Sequence, residues 1–264
     1  MGKAKDIILR PISAQRANEL VRRVHYSGKV VNNSQVHVGV FWNGKLEGAF
    51  QFGPSLDKRK IAGLVSGTKW HEFIELNRLA FTDELPRNSE SRAISICMKI
   101  LRKHSPQLKW VVSFADATQC GDGTIYRASG FVLTGINESK NLVLRADGVV
   151  IHKMTLESNP TSPRAELGGK SYYGITNGRY DFKKYVKAVS GKVTSGHQLR
   201  YIYFLDPSYR SRLTVPEIPF SRIKEMGASM YKGQKLSGSG DLADTPGVHP
   251  GKGGSIPTLP LQVS

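Results

Sequence analysis

Asp116 and Tyr126 are the side chains of this sequence best suited to moving protons, and they share one short unit, WVVSFADATQCGDGTIYRASGFVLT, at residues 110–134. Residues 110–114 form an apolar run that predicts a buried strand, with Ser113 inside it as a structural residue. Asp116 follows at the carboxyl end, where open α/β sheets place their chemistry. A carboxylate there can take a proton from an attacking amine or hold an amino group by a hydrogen bond. The same residue also serves an Asx turn or a helix cap. Gly121, Asp122 and Gly123 predict a turn that opens a short helix bearing Tyr126. A phenol, with a pKa of about 10, can protonate a departing thiolate or alkoxide, and the same ring can simply cover a core. Gly130 is expected to end that helix in a left-handed cap before the strand from Phe131. Cys120 precedes a helix N-terminus, where a thiol pKa falls, but no histidine stands at a pairing spacing.

Other polar groups interrupt apolar patterns. Glu75, Asn77 and Arg78 break the strand-like FIELNRLAF; alternation puts Glu75 and Asn77 on one face and Arg78 on the other unless a bulge intervenes. His25 and Tyr26 occupy a loop, where a histidine is either a surface residue or an acid–base group. Ser91 stands near the expected N-cap of an amphipathic helix over residues 91–104, where it can cap the helix or meet a phosphate. Asp206-Pro207-Ser208-Tyr209 lacks the second proline of the adenine methyltransferase D-P-P-Y motif and has no cofactor loop before it, so it reads as a turn. The histidines show no metal-ligand spacing, and no metal is expected.

Charge indicates the partner. Thirty-eight Lys and Arg against 21 Asp and Glu leave the 264-residue chain at +17, more than solubility requires, which favours a polyanion, most simply nucleic acid. Basic residues cluster at Lys58-Arg59-Lys60, at Lys183-Lys184 among Tyr180, Phe182 and Tyr185, and at Arg200 beside Tyr201 and Tyr203, a mixture suited to phosphate contact and base stacking. Two cysteines exclude a disulfide framework and suggest a reducing compartment. The first residues have no apolar signal core, and no run is long enough to span a membrane.

These groups need a scaffold. The pattern predicts a strand at residues 6–12, a helix after Ser13, a hairpin turning at Asn43-Gly44, a strand at 73–81, the helix at 91–104, and a strand–helix–strand step at 110–136. That order, β-α-β-β-β-α-β-α-β, predicts an α+β domain: a mixed, mostly antiparallel sheet flanked by helices, ending in a parallel βαβ step. Residues 1–236 form the expected domain, with a core at 6–136, a loop or insertion at about 140–195, and a closing strand region at 196–222 as a C-terminal extension. Within that region, residues 198–205 read as a strand, and residues 215–220, with two prolines, as at best an edge strand. Residues 237–264 are Gly-, Pro- and Ser-rich and read as a disordered tail.

The element order and the phrase G-x-I-Y-x-x-x-G-F resemble the GCN5-related N-acetyltransferases. In coenzyme-A-binding members a glycine-bearing loop cradles pyrophosphate at a helix N-terminus. Here Arg87 is in place and Asn88 follows, but Glu90 and Arg92 stand where the glycines would be. More specifically, the chain resembles the Mom DNA-modification proteins of Mu-like phages. The matching residues include Leu9-Arg10-Pro11-Ile12-Ser13, Gln51-Phe52-Gly53-Pro54, Leu56-Asp57-Lys58-Arg59-Lys60, Glu75-Leu76-Asn77-Arg78-Leu79-Ala80, the run from Arg87 to Ser95, and the run from Ser113 to Leu133. Gln198-Leu199-Arg200-Tyr201, Leu213-Thr214-Val215-Pro216 and Ile218-Pro219-Phe220 continue it. The resemblance implies conversion of DNA adenine to N6-(carbamoylmethyl)adenine against host restriction, in the cytoplasm of an infected bacterium. It also implies active-site roles for His25, Arg78, Ser91, Asp116 and Tyr126. The implied partners are double-stranded DNA and a glycyl donor such as glycyl-tRNA, with acetyl-CoA as the alternative donor.

Overall fold

In chain order the elements are β1 (Ile8–Pro11), α1 (Ala14–Val24), β2 (Val36–Trp42), β3 (Lys45–Gly53), α2 (Lys58–Ala62), β4 (Phe73–Phe81), α3 (Ser89–His104), β5 (Trp110–Asp116) and α4 (Thr124–Ala128). They continue with β6 (Val132–Leu144), β7 (Val150–His152), α5 (Lys153–Glu157), α6 (Tyr172–Thr176), α7 (Phe182–Ala188), β8 (Lys192–Phe204), α8 (Ser221–Glu225) and a small hairpin of β9 (Met230–Tyr231) and β10 (Gln234–Lys235). This computed structural model describes residues 3–117, 122–227, 230–231 and 234–235; Cys120 and the tail at 237–264 lie outside the described residues.

Local chemistry sets the element ends. Ser13 caps α1 by accepting the Arg16 N–H at 3.3 Å. Asn43 and Gly44 both adopt positive φ, as a two-residue hairpin turn needs, and join β2 to β3. The helix expected at 91–104 begins two residues earlier: Asn88, in the left-handed conformation, is its cap residue. Ser91 therefore sits inside the first turn, and its hydroxyl donates to the Asn88 carbonyl at 3.4 Å.

Eight strands form one sheet in the order β1-β2-β3-β4-β5-β8-β6-β7. It is antiparallel throughout except for the β4–β5 pair. β5 and β6 run parallel across α4, as expected, but they are not neighbours: β8 lies between them and pairs antiparallel with both. Its alternation fits that central place. Leu199 and Tyr201 join the cluster under α3, and Ile202 joins the cluster on the opposite face. Residues 140–195 are not a structureless loop. They extend β6, add β7 and fold α5, α6 and α7 around buried Val143, Leu156, Leu167, Tyr172 and Tyr185. Residues 215–220 form no strand; the Ile218 N–H donates to Leu133 O at 2.8 Å and so holds the segment against β6.

The sheet has two distinct faces. Phe50, Phe52, Ile74, Leu76, Val111 and Ala115 pack with Ala93, Ile94, Cys97 and Met98 of α3. On the other face, Ala17 and Leu20 of α1 pack on Ala49, and Phe73, Trp110 and Val112 pack with Ile61, Leu64 and Val65. The stacked Phe73–Trp110 pair, with centroids 4.7 Å apart, adds about 0.5–1.5 kcal/mol beyond area burial.

Candidate active site

The parallel pair β4–β5 diverges. Pairing runs from Phe73↔Trp110 to Leu76↔Ser113 and stops there, although β4 continues to Phe81 and β5 to Asp116. Two carbonyls at the divergence take side-chain donors: Ser113 Oγ lies 3.3 Å from Leu76 O, and Arg78 Nη1 lies 2.7 Å from Asn77 O. A bulge interrupts β4. Gln51 faces Arg78 while Phe52 faces Leu76, so Asn77 is the extra residue. It reverses the expected alternation and puts Arg78 on the same face as Glu75, the face covered by α1. Gly53 opposite permits this crowding, because a Cβ there would stand 2.6 Å from both Asn33 O and Asn77 Oδ1.

Arg78 also donates from Nε to Lys29 O at 2.9 Å, tying β4 to the loop after α1. That loop carries His25 and Tyr26, whose rings lie 4.3 Å apart. His25 Nδ1 accepts the Ser27 N–H at 3.2 Å, which leaves the neutral ring's proton on Nε2. Burial, reinforced by the Arg78 charge, pushes His25 down to about 3, so it is a neutral imidazole at physiological pH and a poor base. Burial raises Glu75, although neighbouring Ser55, Asn77 and Arg78 oppose the shift.

The folded insertion reaches the same face. Burial lowers the pKa of the Lys29 ammonium, and the charges of Arg164 and Arg78 lower it further, so Arg164 of the insertion stands within electrostatic range of the loop after α1. Arg164 Nη2 donates to Thr155 O at 3.0 Å, while its buried Nε has no hydrogen-bond partner. Asp116 lies on this face too, because it alternates with Ala115 and Ser113 of the α3 face. Its charge is felt by His152, whose pKa is lowered by burial and raised in part by Asp116 and Glu157. His152 is fixed by accepting the Met154 N–H at 3.0 Å and by contact with Ser139 Oγ at 3.2 Å. Neither His152 nor Arg164 was singled out by the sequence, because nothing in their spacing links them to residues 25–116.

Tyr126 lies on the opposite face. Its phenol is 3.0 Å from Ser113 Oγ, and its ring is stacked on Tyr201 at 4.9 Å and meets Phe131 edge-on at 5.2 Å. Gly123 makes this possible: its φ is +69°, and a Cβ would lie 2.6 Å from the Tyr201 hydroxyl. Ser113, read as structural from the sequence, is fully buried and connects Tyr126 to the strand divergence. Ser91 sits on the α3 side with Tyr126, where its carbonyl lies 3.3 Å from the hydroxyl of Ser129 at the α4 end. Arg87, Asn88 and Arg92 are exposed around the same helix start.

A coenzyme A pyrophosphate does not fit that start. No glycine lies between Arg87 and Arg92, and Glu90 places a carboxylate in the first turn of α3. The remaining basic groups are dispersed. Lys58, Arg59 and Lys60 lie on α2, with the Lys58 ammonium 5.1 Å from the Trp70 ring centroid, and exposed Lys183 and Lys184 lie on α7. Arg200 is half-buried and clasps Thr134, with Nη2 2.5 Å from its carbonyl and Nε 3.1 Å from its hydroxyl. A groove of about 790 Å³ between Arg23, Lys45, Glu47, Phe81 and Glu84 mixes both signs of charge and holds none of these groups.

The element order, the mostly antiparallel sheet and the diverging parallel pair define a GCN5-related acyltransferase-like fold. Within that class the chain belongs to the Mom protein family, whose model matches residues 6–222. It is 36% identical over 211 residues to the methylcarbamoylase mom of Escherichia phage Mu, covering 80% of each chain. Among solved structures it is similar to a Bacillus subtilis acetyltransferase in complex with CoA, at 8% identity and TM-score 0.40, covering 75% of this chain and 97% of that one. A GNAT family acetyltransferase from Elizabethkingia anophelis with acetyl-CoA bound matches at 14% identity and TM-score 0.36, covering 75% and 98%.

Proposed function

We propose that this protein is a DNA-modifying transferase that converts adenine to N6-(carbamoylmethyl)adenine, shielding phage DNA from restriction in the host cytoplasm. Membership of the Mom family and identity to a phage Mu protein named a methylcarbamoylase support the reading. The observation that carries it is the gap between β4 and β5, with Asp116 on one face and Tyr126 on the other. An acceptor and a donor can then meet in the gap from opposite sides.

An adenine extruded from the duplex enters on the α1 face. Lys29, Arg78 and Arg164 face its flanking phosphates, and His25, neutral, offers an aromatic surface and its Nε2–H. Asp116 orients the N6 amine and takes its proton. The donor, a glycyl ester such as glycyl-tRNA, enters beside Ser91, Arg87, Asn88 and Arg92 on the α3 side. N6 attacks the ester carbonyl, the ester C–O bond breaks, and Tyr126 protonates the departing ribose oxygen. The free glycyl amine then attacks ring carbon 6. The C6–N6 bond breaks, and the former N6 leaves as the terminal amide. This second step is an isomerisation that needs no further reagent.

Plasmid from expressing cells, digested to nucleosides and weighed, should contain an adenosine heavier by one glycyl unit that carries label from isotopic glycine. RNase treatment of a cell-free reaction should abolish its formation. Product without glycine label would overturn the donor. An unchanged nucleoside profile would overturn the activity and leave a non-catalytic DNA-binding protein. An acetyl-CoA-dependent acetyltransferase is the second reading, favoured by the element order and opposed by Glu90; tight coenzyme A binding in calorimetry would select it.

A further inference from the structure

We propose that Leu56 is a wedge that enters the DNA duplex and takes the place of the extruded adenine. This rests on the reading that the substrate is an adenine in duplex DNA. Leu56 is 96% exposed, whereas the next most exposed large apolar side chain among the described residues, Met154, reaches 63%. A single exposed leucine is ordinary on a protein surface. This one differs because its neighbours are fixed and its surroundings are basic.

On one side, the Asn33 side-chain amide donates to Pro54 O at 3.2 Å, and Ser55 is buried beside Glu75. On the other, Asp57 accepts the Lys60 N–H at 3.1 Å and starts α2. The anchored loop holds Leu56 out into solvent instead of letting it fold onto the adjoining core. Lys58, Arg59 and Lys60 follow directly, and exposed Trp70 carries the Lys58 ammonium over its ring. A basic ridge beside a projecting apolar side chain is the arrangement by which proteins hold a phosphate backbone and unstack a base step. The position suits the acceptor route, because Gly53, three residues earlier, pairs with Glu75 on the α1 face of the gap.

The test uses the full chain and a panel of mixed-sequence duplexes, each with one adenine replaced by 2-aminopurine, whose fluorescence rises on unstacking. The wild type should raise the fluorescence at one or more positions. Leu56→Ala should reduce that rise about tenfold while changing duplex affinity less than about twofold, and Leu56→Met should retain most of it. Placing an abasic site opposite the 2-aminopurine should restore the signal of Leu56→Ala, because extrusion then breaks no base pair. Equal signals from Leu56→Ala and wild type on intact duplex, or no rescue by the abasic site, would overturn the wedge. The fluorescence needs no reaction, so its outcome is separate from the nucleoside analysis that tests the modification itself.

Discussion

The two faces of the β4–β5 gap are built by different physics. On the α3 face Tyr126 is held by rings: Tyr201 stacked on it, Phe131 against its edge, and buried Ser113 at its hydroxyl. On the α1 face Arg78, Lys29, Arg164, Asp116 and His152 are half-buried or exposed, and interact mainly through charge and hydrogen bonds to backbone. Apolar packing fixes a single group to within a fraction of an ångström. A cationic surface tolerates a large, flexible polyanion and attracts it over a distance. The difference suggests a donor side that is preorganised and an acceptor side that completes itself on DNA.

The largest expected effect that could break this comparison is at Asp116. Asp116→Asn should lower formation of modified adenosine by about 10²–10⁴-fold with little change in DNA affinity, read by nucleoside mass and by mobility shift. A parallel loss of affinity would place Asp116 in binding instead of proton transfer. Arg78→Lys should follow, because an ammonium cannot reach both Asn77 O and Lys29 O as the guanidinium fork does. Activity should fall at least about tenfold, with stability falling by no more than about 1 kcal/mol in a thermal melt, because the carbonyl of Asn77 is part-buried and that of Lys29 is open to water.

Ser113→Ala probes the packed face. It removes one hydrogen-bond partner of the Tyr126 hydroxyl while the aromatic clamp stays, so the maximal rate should fall about tenfold with substrate affinity kept. Ser113→Thr should recover part of it.

The pH dependence of stability tests the charged face. His25 is held at about 3 in the fold against about 6.5 unfolded. Its contribution is complete above about 6.5 and is lost as pH falls toward 3, because only the unfolded chain takes up the proton. Thermal melts of His25→Gln should therefore decline less steeply than wild type across that window. The smallest effect is expected from Lys60→Ala, which should lower the slope of log affinity against log salt by about 1 and leave the maximal rate unchanged.

The packed face was the more legible in sequence. The apolar run at 110–114, the Gly123 turn, Tyr126 and the Gly130-Phe131 closure are contiguous, and each has a local cause in turn geometry or burial. The helix register was off by two residues because Ser91 looks like a cap, whereas Asn88 uses its own left-handed backbone. The charged face was legible only in part. Glu75, Asn77 and Arg78 marked an irregular strand, but the bulge that turns Arg78 toward Glu75 depends on the pairing of β3 with β4.

By itself the sequence determined the element order, the strand that ends at Asp116, the helix that carries Tyr126, and the positive charge that calls for a polyanion. Hydrophobic period, turn chemistry and net charge are local or additive, so one chain read in order reveals them. Only the tertiary structure decided that β8 separates β5 from β6, that Asp116 and Tyr126 face opposite sides, and that Arg164 and His152 join residues far from them in the chain. Those facts follow from which strand edge finds which partner, a competition among distant segments for the same hydrogen bonds and apolar surface that no local spacing records.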